Sequence, residues 1–127
     1  MRSVPNLTTF DSVLNDRGSK YAVSGCACDD ASQAAIIVKT LRAKSKKFQK
    51  ATHHSWAMVR DGEIIKNDDG ESGAGMVIGR VLLRAGVDRH VVIVSRWYGG
   101  KHLGGDRFRH VLHATQYFLN ETGLAAS

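Results

Sequence analysis

Proline occurs once, at Pro5, and cysteine twice, at Cys26 and Cys28. Two cysteines one residue apart on an extended segment supply neither a disulfide framework nor a complete tetrahedral metal set. They are therefore expected as reduced thiols, the state that cytosolic proteins keep. No apolar run nears the roughly 20 residues that cross a bilayer, which excludes a helical membrane anchor. The opening residues, MRSVPNLTTF, hold no apolar centre of a secretory signal. Internal repeats, linkers and low-complexity segments are lacking too. These absences lead to the expectation of a soluble cytoplasmic domain with no membrane partner.

Acid is scarce beside base: 12 Asp and Glu stand against 18 Lys and Arg, a net charge of +6. The imbalance is local. Lys39, Arg42, Lys44, Lys46, Lys47 and Lys50 follow one another with no acid between them, whereas Asp61, Glu63, Asp68, Asp69 and Glu71 crowd the next stretch around one Lys66. Such polarity points to a charged partner: RNA, a ribosome or an acidic protein. At 127 residues with 43% hydrophobic content the chain is one domain, able to bury roughly two thirds of its surface without staples.

The first fifteen residues have no clear period and read as an N-terminal extension or an edge strand, with the domain proper over 16–127. Lys20–Cys28 reads as a strand that Gly25 weakens. Asp30 with Gln33 three residues on forms a capping box for a helix over 31–49. Its apolar face is Ala34, Ile37, Val38, Leu41 and Phe48, and its opposite face is a basic stripe of Lys39, Arg42, Lys46 and Lys50. Strands over 54–60 and 63–67 flank a tight Asp61-Gly62 turn. A polar glycine loop leads to a helix over 76–85 closed by Gly86. Val91-Val92-Ile93-Val94 is apolar on both faces and belongs in the middle of a sheet. A second glycine loop, 99–105, leads to a last helix from Asp106 to about Asn120, with Gly123 beyond it. The order β-α-β-β-α-β-α predicts an α+β fold: a two-layer α/β sandwich, a mixed four-stranded sheet with helices on one face.

Two clusters carry candidate chemistry. The loop before the last helix can receive a phosphate, because glycines admit it closely and amides at a helix N-terminus attract anions. Gly99, Gly100 and Gly104 supply the backbone, Arg96, Lys101 and Arg107 the charge, and Trp97 and Tyr98 can stack a base. The same glycines also suit a tight turn, with Asp106 as a plain helix cap. Asp68, Asp69 and Glu71, with His53 nearby, can hold a magnesium ion opposite a bound phosphate, or can pair with Arg96 or Arg107 and couple the two loops. The coupling reading is preferred, so no metal and no cofactor is expected. Gly-Gly-Lys-His is no Walker A loop, and His110 and His113, three apart on a helix, lack a carboxylate at zincin spacing. With no complete catalytic set, the chain reads as a binding module rather than an enzyme.

Four stretches together carry a family resemblance. They are Asp16-Arg17-Gly18-Ser19-Lys20, Ala51-Thr52-His53-His54-Ser55-Trp56, the 68–75 loop, and, the most specific, Val91-Val92-Ile93-Val94-Ser95-Arg96-Trp97-Tyr98-Gly99-Gly100 continuing through Leu103-Gly104 to Asp106-Arg107-Phe108. In this order they resemble the Impact domain over about residues 16–119, in a form more eukaryotic than bacterial. The resemblance implies the fold of the second domain of a small-subunit ribosomal protein. It also implies translational control: restraint of the kinase that phosphorylates an initiation factor in amino-acid starvation, by competition for its ribosome-associated activator. Actin binding is implied as well. Full-length eukaryotic members carry an additional N-terminal RWD domain, which is not read in these 127 residues, and His54 stands where the family usually has Asn.

Overall fold

A computed structural model describes residues 6–124; Pro5, expected outside every element, lies outside the described residues. The elements in chain order are β1 (Thr8–Asp16), β2 (Ser19–Ala27), α1 (Ala31–Ala43), α2 (Lys46–Gln49), β3 (His53–Arg60), β4 (Glu63–Asn67), α3 (Ala74–Arg84), β5 (His90–Trp97) and α4 (Asp106–Thr122). The strands form one sheet in the order β1-β2-β5-β3-β4. Every neighbouring pair is antiparallel.

The α+β class holds, with three corrections of detail. First, the sheet has five strands, not four, because β1 pairs along β2 as an edge strand. Its period is broken by a bulge between Phe10 and Leu14, where Ser12 takes a left-handed φ of 57°. Second, the sheet is purely antiparallel rather than mixed. The β2–α1–β3 connection does not pair its two strands; it leaves a place between them that β5 fills in the opposite sense. Third, the helices cover both faces. Ile37 and Leu41 of α1 and Phe48 of α2 pack on Cys26, Met58 and Ile93, whereas Ile78 and Leu82 of α3 and Val111 and Phe118 of α4 pack on Tyr21, Val59 and Val92. An amphipathic stripe states that a helix has a buried side, not which side of the sheet receives it. Both faces of β5 are consequently apolar, as its valine run requires.

The helix expected over 31–49 is two helices. Ser45 adopts extended backbone and its hydroxyl oxygen accepts the Phe48 amide proton at 3.2 Å, so it caps a new turn rather than continuing the old one. The break lets Phe48 bury its ring against His54 and Trp97. At the start of α1, Asp30 accepts from the Gln33 amide at 2.9 Å, and the Gln33 side chain accepts from the amide of Asp29 at 2.7 Å. Both two-residue hairpin turns, Arg17-Gly18 and Asp61-Gly62, have positive φ at both positions, the geometry that matches the twist of the flanking strands. Gly25, which weakened the sequence signal for β2, lies under the Phe118 ring: a Cβ there would stand 2.5 Å from it. Cys26 and Cys28 are buried, and burial pushes the Cys26 thiol up to about 11.

Candidate functional site

Register brings the motif residues to one end of the sheet. Arg96 lies between Tyr21 on β2 and His53 on β3, directly across from each. Alternation along β5 sends Arg96 to the face covered by α3 and α4, with Val92 and Val94, and sends Ser95 to the face covered by α1 and α2. Arg96 is only 6% exposed, and Glu71, 3% exposed, meets it from the loop before α3. One guanidinium nitrogen of Arg96 donates to both Glu71 oxygens, at 2.7 and 3.1 Å, and the other donates to Ser19 Oγ at 3.3 Å. His53 Nε2 stands 3.2 Å from the same carboxylate, while its Nδ1 donates to the Asp69 carbonyl at 2.8 Å. The guanidinium carbon lies 5.8 Å from the ring centres of both Tyr21 and Tyr98. Burial pushes the Tyr21 phenol up to about 12.

Each carboxylate of the 68–71 loop has a separate task. Asp68 accepts the Gly73 amide at 3.0 Å and the Gly75 amide at 2.8 Å, capping α3, whose own N-cap residue is a glycine. Although burial opposes it, these two bonds hold Asp68 below the usual carboxylate range. Asp69 accepts the His54 amide at 2.7 Å and an Arg42 nitrogen at 2.9 Å, which fastens α1 to the loop. Glu71 serves Arg96 and His53. The three acids thus diverge onto three different sets of donors. Among the described residues there is no group of three or more His, Cys, Asp or Glu side chains placed to share a metal ion.

On the opposite face, His54 bridges Ser95 and α2. Its Nε2 donates to the Phe48 carbonyl at 2.9 Å, so its Nδ1, 2.7 Å from Ser95 Oγ, accepts from that hydroxyl. Burial holds the ring below the ordinary imidazole range and hence neutral. The Asp16-Arg17-Gly18-Ser19 turn reaches the same sheet end. Asp16 takes His110 Nε2 at 2.7 Å and Arg17 at 3.1 Å, and Arg17 also pairs with Asp106. The Arg17 hydrogen bond, then that of His110, holds Asp16 down at about 2. Asp106 is therefore not the helix cap; that place belongs to Gly105, and no side chain caps the helix, the Asp106 and Phe108 amides donating to the Leu103 and Gly105 carbonyls. His113 points to solvent and does not join His110.

The glycine loop divides in two. Gly99 lies so close to the first hairpin that a Cβ on it would sit 2.1 Å from the Gly18 carbonyl carbon. Trp97 is drawn to α2, where its indole donates to the Lys47 carbonyl at 2.8 Å and its ring meets Phe48. Tyr98, by contrast, is 44% exposed. Gly100 and Lys101 are open to solvent, and Gly104 and Gly105, with Arg96, His102, Arg107 and Phe108, wall a cavity of about 310 Å³ at the start of α4. Lys39, Arg42, Lys46 and Lys50 are exposed across α1 and α2, on the other side of the sheet from Arg96. Sequence reasoning missed Ser19, Tyr21 and Ser95 as partners, because they reach the site through strand register, which no local pattern reports.

The architecture is shared with a crystal structure of a protein described as hypothetical. It superposes with a TM-score of 0.77 at 24% identity, over 93% of this chain and 59% of that one. The Impact N-terminal domain matches residues 17–119, and the chain belongs to the Impact family. Among its relatives, the IMPACT homolog of Saccharomyces cerevisiae is 32% identical over 81% of this chain and 42% of its own length. The IMPACT homolog of Caenorhabditis elegans is 32% identical over 86% of this chain and 45% of its own. The chain thus spans less than half the length of these two relatives. The two-domain translational regulator Yih1 matches structurally with a TM-score of 0.55 and 26% identity, over 97% of this chain and 51% of that one. No helix among the described residues is long and apolar enough to cross a membrane.

Proposed function

We infer that the chain is a non-catalytic binding module of translational control, which docks on a translation-associated protein. The observation that carries this reading is how the motif is used. Glu71 and Arg96, Asp69 and His54, and Asp68 and the start of α3 hold one another, so the most distinctive residues build a rigid frame. The docking surface in this reading is the basic face of α1 and α2. Lys39, Lys46 and Lys50 are exposed there and pair with no acid among the described residues. The finer form of the reading is restraint of the amino-acid-starvation kinase through competition for its ribosome-associated activator. Binding of the purified chain to that activator, measured by calorimetry, tests it. Binding that weakens in a Lys46→Glu, Lys50→Glu variant is the expected result, and no binding at low salt would refute it.

A second reading, a nucleic-acid- or phosphate-binding domain, draws on the same basic face and on the cavity at α4. Four cationic contacts to a single strand give a salt slope of about −2.8, so doubling the salt should weaken RNA binding roughly sevenfold. Titration with short labelled RNA at two salt concentrations separates the two readings.

A further inference from the structure

Among the described residues, three buried side-chain polar atoms have no hydrogen-bond partner: Tyr21 Oη, Arg96 Nε and Arg107 Nε. Each such group costs about 1–3 kcal/mol when left dry, so a folded protein tolerates few of them. These three belong to one place. Arg96 and Arg107 wall the same cavity, the Arg96 guanidinium stacks on the Tyr21 ring, and the Tyr21 phenol feels the charges of both arginines. All three can donate, and none is a pure acceptor. The two arginine atoms lie in the wall of one cavity, and Tyr21 lies behind it, against Arg96.

The surroundings define what would satisfy them. The 17-residue α4 begins at this cavity, and its dipole favours negative charge there, the Asp106 and Phe108 amides being taken by the Leu103 and Gly105 carbonyls. Arg107 has no acid partner among the described residues, whereas Arg96 is neutralised by Glu71 and Asp106 is engaged by Arg17 and Arg109. Exposed rings stand beside the opening, Tyr98 over Arg96 and Phe108 under Arg107. A cavity of about 310 Å³ lies at the small end of ligand sites.

We propose that this cavity binds a 5′-nucleoside monophosphate group, with the phosphate on Arg96 and Arg107 at the start of α4 and the base against Tyr98 or Phe108. The group comes from a free nucleotide or from the 5′ end of an RNA. The proposal rests on the second reading above and narrows it, since the phosphate and not the basic face of α1 and α2 becomes the determinant.

The test is calorimetric titration of the intact chain with a short 5′-phosphorylated RNA, the same RNA with a 5′-hydroxyl, adenosine 5′-monophosphate and adenosine. The phosphorylated member of each pair should bind roughly 10- to 100-fold more tightly, the worth of a charge-assisted hydrogen bond. Arg107→Met, at a half-buried site outside the Arg96–Glu71 pair, should abolish that difference while thermal melting shows the fold intact. Equal affinity of the monophosphate and the phosphorylated RNA identifies a free nucleotide as sufficient; a clear gain for the RNA identifies its 5′ end. If both RNAs bind alike and Lys46→Ala with Lys50→Ala removes binding, the cavity is refuted and the RNA reading survives. If none of the four binds at low salt, both fall.

Discussion

Replacing Glu71 by glutamine keeps the shape of the side chain and removes its charge. Arg96 would then remain 6% exposed, between two tyrosine rings, with Ser19 and one amide oxygen at position 71 as acceptors and no compensating negative charge. Removing one partner of a buried pair costs about 3–5 kcal/mol, because the surviving charge stays out of water without compensation. That is a large part of the 5–15 kcal/mol that typically separates folded from unfolded chains. For 127 residues the unfolding entropy is about 0.27 kcal/mol per kelvin, so the melting temperature should fall by roughly 11–19 °C. The assay is urea unfolding followed by the fluorescence of Trp56 and Trp97, in which the midpoint should move and the slope should not. Substituting both partners, Arg96→Met with Glu71→Leu, should recover most of the loss, since apolar side chains of similar volume replace a buried pair at little cost. A Glu71→Gln change of under about 1 kcal/mol, the value of an exposed pair, would refute the reasoning.

Three further results are expected. Gly99→Ala places a methyl group 2.1 Å from the Gly18 backbone, and as overpacking against rigid main chain it should cost about 1–3 kcal/mol or more in the same urea assay. Asp16 has its pKa lowered to about 2 in the fold, so its contribution is present above the unfolded value near 3.8 and is lost as pH falls through about 2. The stability gap between the parent chain and Asp16→Asn should be constant above pH 5 and close across that window; a gap unchanged down to pH 2 would contradict the Arg17 and His110 bonds. His54 is neutral in the fold, whereas the unfolded imidazole takes up a proton below about 6.5. Stability should therefore decline from pH 7 to pH 5, by at most about 1.4 kcal/mol per pH unit for each such histidine. His54→Asn should flatten that decline, and His90, whose imidazole burial also pushes down, should add to it in the same direction.

What the sequence made legible is what local chemistry decides. Asp30 announces a cap, Asp61-Gly62 a primed turn, the valine run of β5 a central strand, and Gly86 and Gly123 the ends of α3 and α4, because each effect acts within a few residues. The edge strand β1 stood beside a plain extension as one of two readings, because its bulge at Ser12 breaks the alternation that announces a strand. The break at Ser45 was hidden because the apolar residues on either side keep a nearly helical spacing. Asp68, Asp69, Glu71 and Arg96 stood out as residue types, yet which donor each acid takes was not decided locally; Glu71 meets Arg96, 25 positions on, only through strand register. Ser19 stood in a family stretch and Tyr21 in an expected strand, yet nothing local tied either to Arg96 until β5 is laid beside them.

The two sides of the sheet divide the work, and this bears on how the molecule would evolve a partner. On the α3 and α4 side, buried charge is balanced locally, and a loss at Glu71 or Arg96 threatens the fold itself. On the α1 and α2 side, Lys39, Lys46 and Lys50 are exposed and unpaired among the described residues, so their replacement should change stability by less than about 0.5 kcal/mol while altering the surface charge. A docking face of that kind can be retuned for different acidic partners without touching the frame. The two faces meet at Asp69, which takes Arg42 from α1 and the His54 amide from β3. An occupant of the α4 cavity would press on the same loop through Arg96 and Glu71. The 68–71 loop is thus one hydrogen-bonded route between the cavity and the basic face; Trp97, next in the chain to Arg96 and bonded to the Lys47 carbonyl, is a second.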